Sequence, residues 1–293
     1  MHITELSRRG FLTGVAAVGL GAIRPAAQQR MKIGYAAITW GGDDEQAIED
    51  VSSVGYKGIQ LRASALTRWG GRPGALRELL QKHTLAFAVL SSGDLVIDPA
   101  AERGQLALHR QHAQFVHDAG GVFIQVIDQR PNRAVTSADY TRAGRLLTLL
   151  GQQTEAVGVP LVYHNHMNST GEKPEELDAI LKAADPKHVG LLFDIAHYQQ
   201  GGGDPVQAIR RYRDWIKVVH LKDVKPATNK QAYEFVELGH GRVDVKGCAA
   251  ALRDIGFSGW AIVELDRAEA GSTPKECALA NANYVTKDLG LTL

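Results

Sequence analysis

Eight segments of strand length recur along this chain, and most of them are almost continuously apolar. They span residues 32–40, 57–62, 86–92, 122–128, 160–166, 189–197, 216–223 and 260–266. Strands that are covered on both faces have this composition, because neither face meets water. Helical patterns with acidic or Ser starts and Gly ends lie between the segments. Eight such alternations predict an α/β fold with a single (β/α)₈ barrel domain.

A doubly wound open sheet is the alternative arrangement of the same alternating elements. Dinucleotide-binding sheets of that kind carry a G-x-G-x-x-G turn after the first strand, and none follows residue 40 here. The run GGGD at 201–204 lacks the Gly-Lys-Ser/Thr ending of a phosphate loop. The barrel is therefore the favoured prediction.

The N-terminal segment resembles an export signal rather than part of the barrel. Arg8 and Arg9 precede a moderately apolar stretch from Phe11 to Ile23, as in a twin-arginine (Tat) signal peptide. That stretch is too short to serve as a stable membrane anchor. We therefore expect a signal peptide over 1–29, a barrel over 30–293, the Tat export machinery as a partner and a periplasmic location.

Charge and cysteine content limit the classes of function. The formal net charge is +1 without a long basic block, which argues against nucleic acid as a partner. The two cysteines, Cys248 and Cys277, lie in helix-like segments, and we expect them to be small buried residues. Three histidines of the third helical pattern, His109, His112 and His117, are expected at the surface.

Polar residues collect where the predicted strands end. They are Gln60, Arg62, His164, His166, Asp194, His197, His220, Lys222, Asp223, Glu264 and Asp266. The carboxyl ends of all barrel strands meet at one face, where active sites of this fold lie. Side chains two positions apart share a strand face, so His164 and His166 can both point to that face. Several imidazoles and carboxylates buried together are costly unless a divalent cation binds them.

The strand-end motifs resemble those of the xylose isomerase-like barrel superfamily, often called sugar phosphate isomerases/epimerases. FDIAH (193–197), VVHLKD (218–223) and GWAIVELD (259–266) resemble its D-x-x-H, H-x-K-D and metal-glutamate strands. FVELGHGRVD (235–244) resembles its G-x-G loop. The resemblance covers essentially all of residues 31–293.

Residue by residue, the resemblance implies that Asp194, His220 and Glu264 are metal ligands and that His197 contacts substrate. The family usually has a glutamate where this chain has His164, so we expect His164 to be the fourth ligand, with His166 as the alternative. A Tyr-His-x-His strand followed by Met, here Met167, resembles the branch that includes inosose dehydratase-like proteins. The donor set favours Mn²⁺ or Co²⁺, with Zn²⁺, Fe²⁺ or Mg²⁺ as alternatives.

The family chemistry implies proton abstraction next to a carbonyl, through an enediolate. Our main hypothesis is a metal-dependent isomerase or epimerase of an unphosphorylated carbohydrate, such as a keto-sugar or inosose. The alternative is a dehydratase or lyase that eliminates the β-oxygen substituent of a keto-sugar or 3-keto-glycoside, because a symmetric two-glutamate epimerisation loses one glutamate at residue 164.

The candidate catalytic residues divide into a base, Glu264, and three candidate acids, His166, His197 and Lys222. Arg62, His166, His197 and Trp40 are candidate substrate contacts, with a solvated strand end for Arg62 and core packing for Trp40 as the competing interpretations. A metal-dependent nuclease and a non-catalytic sugar-binding protein are the competing functions. The sequence leaves open whether the chain forms a homo-oligomer.

Overall fold

The computed structural model describes residues 31–226 and 233–293. The predicted signal peptide lies outside the described residues, so its presence and the periplasmic location stay predictions. Within the described ranges, no helix combines the length and apolarity that crossing a membrane requires.

Ten β-strands are present in the described ranges. They are β1 (Lys32–Ala36), β2 (Gly58–Arg62), β3 (Ala86–Val96), β4 (Phe123–Gln129), β5 (Leu161–His164), β6 (Val189–Asp194), β7 (Ile216–Leu221), β8 (Asp223–Lys225), β9 (Glu234–Val236) and β10 (Trp260–Val263). Eight of them close a parallel barrel in the order β1-β10-β7-β6-β5-β4-β3-β2. The remaining two, β8 and β9, form a separate antiparallel ribbon. The predicted (β/α)₈ barrel is confirmed.

Ten α-helices cover the outside of the barrel or join its strands in the described ranges. They are α1 (Asp44–Val54), α2 (Leu66–Trp69), α3 (Pro73–Lys82), α4 (Glu102–Asp118), α5 (Ser137–Glu155), α6 (Pro174–Ala183), α7 (Ile195–Gln200), α8 (Pro205–Arg211), α9 (Val245–Asp254) and α10 (Pro274–Asn283). The sequence analysis did not single out α3 or the β8–β9 ribbon. Proline at the first position of α3 sets the backbone angle there without costing an internal hydrogen bond.

Five predicted strands were too long at their carboxyl ends. The first strand ends at Ala36, where a 3₁₀ turn begins, and the fifth ends at His164 rather than 166. The sixth ends at Asp194 because the Asp194 carboxylate caps α7, so His197 lies on a helix. The seventh ends at Leu221 rather than 223, and the eighth at Val263 rather than 266. Polar residues at these ends favour turns and caps over further ladder pairing.

Two apolar layers hold the barrel together. The larger one lies between the strands and the helices, and a smaller one fills the barrel interior with Val89, Val162, Leu192 and Val218. Trp260 belongs to the interior cluster and lies against Gly58, where any side chain would overlap the indole ring. The interior is thus packed below the polar strand ends, which leaves only the carboxyl face open for chemistry.

The prediction that the α4 histidines lie at the surface is wrong for His109. His109 is fully buried, and its Nδ1 lies 2.6 Å from the Ser92 hydroxyl within β3. His112 Nδ1 contacts the same hydroxyl at 2.8 Å, and burial lowers the pKa of His109 to about 4. The helix pattern did not predict the burial of His109, because a neutral imidazole can pack against a strand when a hydroxyl group hydrogen bonds to it. Both cysteines are free and buried, as expected.

Removing the Asp139 carboxylate should destabilise the barrel and change its pH dependence. Asp139 completes the capping box of α5 with Thr136 and hydrogen bonds to Arg133, and Arg133 holds the pKa of Asp139 well below its ordinary value. Asp139→Ala should cost about 1–2 kcal/mol of unfolding free energy at neutral pH. A lowered pKa contributes stability above the unfolded value and loses it as the pH falls, so the cost should shrink below about pH 4.

Denaturant unfolding at neutral pH and at pH values below about 4 measures this difference. Asp118→Ala, at the exposed carboxyl end of α4, is the matched control and should change little. A cost for Asp139→Ala that stays constant down to the lowest pH at which the protein is folded would contradict the assignment.

Candidate metal centre

Asp194 uses its two carboxylate oxygens for different tasks. Oδ1 accepts the backbone N–H groups of Ala196 and His197, both at 2.9 Å, and so caps α7. The other oxygen, Oδ2, points into the barrel, and the side chain is fully buried. Asn165 hydrogen bonds in both directions with the Asp194 backbone. The α7 backbone and the Asn165 side chain together therefore fix where Oδ2 lies.

Three imidazoles surround Asp194 Oδ2. Its distances are 3.3 Å to His220 Nδ1, 3.6 Å to His164 Nε2 and 3.8 Å to His197 Nε2. His220 Nδ1 also lies 3.6 Å from Glu264 Oε1. These spacings are close to the separation of about 3.4 Å between two ligands that bind one tetrahedral cation at about 2.1 Å.

The protonation of His220 follows from its neighbour Gln60. The Gln60 amide N–H₂ donates to Glu264 Oε2 at 3.2 Å, because an ionised carboxylate can only accept. The Gln60 carbonyl then lies 2.9 Å from His220 Nε2 and accepts a hydrogen bond from its N–H. In the neutral ring, the Nδ1 lone pair therefore points at the Asp194 and Glu264 carboxylates. Such an arrangement of acceptors calls for a cation between them.

His164 and His197 both present Nε2 to Asp194, but their other ring nitrogens have different hydrogen-bond partners. The backbone N–H of Met167 donates to His197 Nδ1 at 3.4 Å, which places the proton of the neutral ring on Nε2. His164 Nε2 is buried and has no hydrogen-bond partner in the described residues, while Gln125 contacts its Nδ1 at 2.9 Å. A cation at His164 Nε2 requires the proton on Nδ1, with the Gln125 carbonyl turned to accept it. His164 is thus better suited than His197 to bind metal.

Lys222 lies between two carboxylates at the mouth of the barrel. Its Nζ is 2.9 Å from Glu264 Oε1 and 2.5 Å from Asp266 Oδ1, and it sits 3.9 Å from the centre of the Phe235 ring. Burial alone would lower the pKa of Lys222, but Glu264 and Asp266 outweigh it and raise the pKa. Burial likewise opposes ionisation of Glu264, and His220 and Lys222 reverse that effect and lower the pKa of Glu264. Both groups are charged at neutral pH.

The charges at this face fit a divalent cation. Burial lowers the pKa of His164 to about 4 and that of His197 well below its ordinary value, so both rings are neutral at pH 7. Burial opposes ionisation of Asp194, but the surrounding imidazoles outweigh it and hold the pKa of Asp194 low. Asp194, Glu264 and Asp266 against Lys222 leave two negative charges, and neutral imidazole is the form that binds metal. His164, Asp194, His220 and Glu264 would hold the cation.

A cavity of about 150 Å³ opens above these residues. The strand-five histidines His164 and His166 line it. The predicted base Glu264, the candidate acid Lys222 and the strand-two arginine Arg62 also line it. The structure therefore brings together residues from four barrel strands, β2, β5, β7 and β10, and the segments that follow them. Arg62 is exposed at the rim, which leaves it free to contact a ligand.

Two predicted substrate contacts lie away from the cavity lining. Trp40 donates its indole N–H to Asp50 of α1 at 3.0 Å and packs edge-on against Tyr35, which agrees with the core-packing interpretation. His197 is buried and stacks behind His166, with ring centres 3.8 Å apart. Neither side chain is part of the cavity lining.

Four contributors escaped the sequence analysis as site residues: Gln60, Gln125, Phe235 and Asp266. Gln60 and Gln125 sit inside buried strands, where a lone polar residue among apolar ones was the available signal. Gln60 and Asp266 had been noted at their strand ends without a role. Phe235 reaches Lys222 only through the β8–β9 ribbon, and no local pattern predicts that contact.

Comparison with known proteins places this geometry in a family. The family model described as xylose isomerase-like TIM barrel matches residues 48–286. The chain belongs to the xylose isomerase-like TIM barrel family. Family membership and the closed eight-stranded barrel agree with the resemblance drawn from the strand-end motifs.

The chain is similar to two inosose dehydratases over most of their length. The chain is 28% identical to the inosose dehydratase of Lacticaseibacillus casei, over 89% of this chain and 98% of that protein. It is 26% identical to the inosose dehydratase of Geobacillus kaustophilus, over 87% and 94% respectively. A solved structure of the IOLI protein with a bound zinc atom is similar in fold, with a TM-score of 0.76 and 19% identity over 89% of this chain and 98% of that chain.

Replacing Gln60 should weaken metal binding without removing a ligand. Gln60→Met leaves His220 Nε2–H without its acceptor, so the orientation of the ring is lost. Affinity for Mn²⁺ or Zn²⁺ should fall about 10- to 100-fold, as for other residues that orient metal-binding histidines. Titration against a chromophoric chelator measures the change, with the exposed Gln46→Met as control. Unchanged affinity would mean that Gln60 has no part in positioning His220.

The two strand-five histidines should differ in metal dependence. His164→Ala should remove a ligand and lower metal content per chain after dialysis, whereas His166→Ala should retain it. Elemental analysis of the two dialysed variants measures this directly. The opposite order would show that His166 is the ligand.

Proposed function

We propose that this chain is a divalent-metal-dependent dehydratase that eliminates a β-oxygen substituent from an unphosphorylated keto-sugar or inosose. Isomerisation or epimerisation was the main hypothesis from sequence, and elimination was its alternative. The similarity to inosose dehydratases over nearly the whole length of both proteins supports the alternative more strongly. The supporting observation within the site is the Lys222–Glu264 pair on one wall of the cavity.

A bound divalent cation would hold the substrate carbonyl and a neighbouring hydroxyl and lower the pKa of the adjacent C–H bond. His164, Asp194, His220 and Glu264 would hold that cation. The cation's identity is not part of the proposal, because an imidazole and carboxylate set accepts several first-row metals.

The proposed reaction needs one base and one acid on the substrate. Glu264 is ionised and lines the cavity, so we assign it the removal of the proton next to the carbonyl. The carbon–oxygen bond to the β-substituent then breaks with the electron pair leaving on oxygen, and water is the product when that substituent is hydroxyl. Lys222 is protonated and lies beside Glu264, so we assign it the proton delivered to the leaving oxygen.

The asymmetry of the cavity favours elimination over symmetric epimerisation. Epimerisation through two carboxylates needs one on each face of the substrate, and the position opposite Glu264 is an imidazole, His164. His164 is neutral and suited to ligate metal, so it is a poor base on the same nitrogen. The protonated amine of Lys222, which follows β7, supplies an acid on the same side of the cavity as Glu264.

The proposed location is the periplasm, and its support is the twin-arginine segment at Arg8 and Arg9. An unphosphorylated substrate agrees with that location, because phosphorylated sugars are mainly cytoplasmic. Replacing both arginines with lysine in the full-length chain should abolish export, as measured by fractionation of expressing cells.

Lys222→Met should separate metal binding from turnover. The variant keeps the aliphatic stem of Lys222 and all four proposed ligands, so it should retain metal while losing about 10²- to 10⁴-fold in the rate of elimination. The assay follows formation of the unsaturated ketone from an inosose or a 3-keto-glucoside by its ultraviolet absorbance. Lys187→Met, at an exposed position, is the matched control and should behave as wild type.

Solvent deuterium exchange distinguishes the two chemistries. Elimination predicts loss of the β-substituent together with the α-proton. A metal-loaded wild type that exchanges the α-proton of keto-sugars and returns an epimer or isomer without losing oxygen would replace the dehydratase proposal with the isomerase or epimerase one.

A further inference from the structure

A second group of metal-ligating side chains lies beside the barrel mouth. Glu237 and His240 follow β9, and Glu269 follows β10. One ligand atom from each lies within 4.8 Å of the other two. His240 Nδ1 is 3.8 Å from Glu237 Oε2 and 3.9 Å from Glu269 Oε1. The group shares no residue with the barrel-centre site.

The spacing resembles that of the barrel-centre ligands. There, the donor atoms of neighbouring residues are 3.3 to 3.6 Å apart. A tetrahedral cation that binds each atom at about 2.1 Å requires a separation of about 3.4 Å. A movement of a few tenths of an ångström in the exposed His240 ring closes that difference.

The charge of this group is uncompensated in the described residues. The Glu237 side chain is only 12% exposed, yet its one ion-pair partner in the described residues is His240. Glu269, which is 34% exposed, likewise pairs only with His240 there. Other carboxylates of similar burial, Glu176 and Asp139, each pair with an arginine. Two neighbouring carboxylates repel one another unless a cation lies between them.

A buried thiol backs the group on its protein side. Cys277 of α10 is free and fully buried, and burial raises its pKa, so it stays a neutral thiol beside the group. The backbone N–H of Glu237 donates to Glu269 Oε1 at 3.2 Å. This hydrogen bond positions the Glu269 carboxylate, while the 61% exposed His240 leaves the outer side of the group open to solvent.

We propose that Glu237, His240 and Glu269 form a second divalent-cation site, for which Zn²⁺ is the fitting probe. One imidazole and two carboxylates with open positions match the donor set that zinc accepts. The bound ion joins the segment after β9 to the segment after β10. Both segments border the catalytic face, since Phe235 lies over Lys222 and Glu264 directly follows β10.

The test is Zn²⁺ binding by the purified chain, measured as ions per chain by equilibrium dialysis with elemental analysis. We expect two ions for wild type and one for His240→Ala. Asp194→Asn keeps a side chain that can cap α7, and it should also bind one ion, retained at the rim. The double variant should bind none. His188→Ala is the matched control, because His188 pairs with a single carboxylate, Glu155, and cannot chelate an ion with it.

These outcomes separate the rim site from the barrel centre and from the proposed reaction. If the barrel centre binds no zinc, wild type should bind one ion and His240→Ala none, which still supports the rim site. Equal stoichiometry in wild type and His240→Ala would overturn it. Loss of an ion in His188→Ala as well would also overturn it, because that result indicates unspecific surface binding.

Discussion

The carboxylate of Asp194 is the interaction on which the rest of the site depends. One oxygen ends β6 and starts α7 by accepting two backbone N–H groups, and the other faces three imidazoles. A group tied to the backbone in this way cannot turn away to relieve the cost of burial. The groups around the carboxylate must therefore offset the cost of its burial. The neighbouring strands bring imidazole nitrogens to it, and these nitrogens together with the carboxylate form a place for a cation.

The hydrogen bonds around that centre select a single protonation pattern. Glu264 accepts a hydrogen bond from the Gln60 amide and so orients it, and the Gln60 carbonyl accepts a hydrogen bond from His220 Nε2–H. The Nδ1 lone pair of His220 then faces the carboxylates. Each step follows from which groups can only donate or only accept. The same carboxylate, Glu264, keeps Lys222 protonated at the cavity wall. Metal binding and acid–base chemistry therefore share one carboxylate, Glu264.

Much of this centre was predictable because strand ends of a barrel converge. His164, Asp194, His220 and Glu264 lie at the carboxyl ends of four consecutive barrel strands, so an alternating pattern of strands and helices suffices to bring them together. The alternation of side chains along a strand also predicted that His164 and His166 could face the same way, and both line the cavity. Trp40 and His197 were predicted at the ends of strands one and six but lie outside the cavity lining, because a 3₁₀ turn and a helix carry them.

The sequence by itself determined the barrel, its eight strands and the residues at their carboxyl ends, since apolar periodicity and capping residues are local properties. Only the tertiary structure decided which imidazole nitrogen faces Asp194, that Gln60 and Gln125 support the ligands, and that Phe235 covers Lys222. It also decided that His109 is buried and that Glu237, His240 and Glu269 meet at the rim. These features depend on distances between segments far apart in the chain, and such distances are set by packing of the closed barrel rather than by any local pattern.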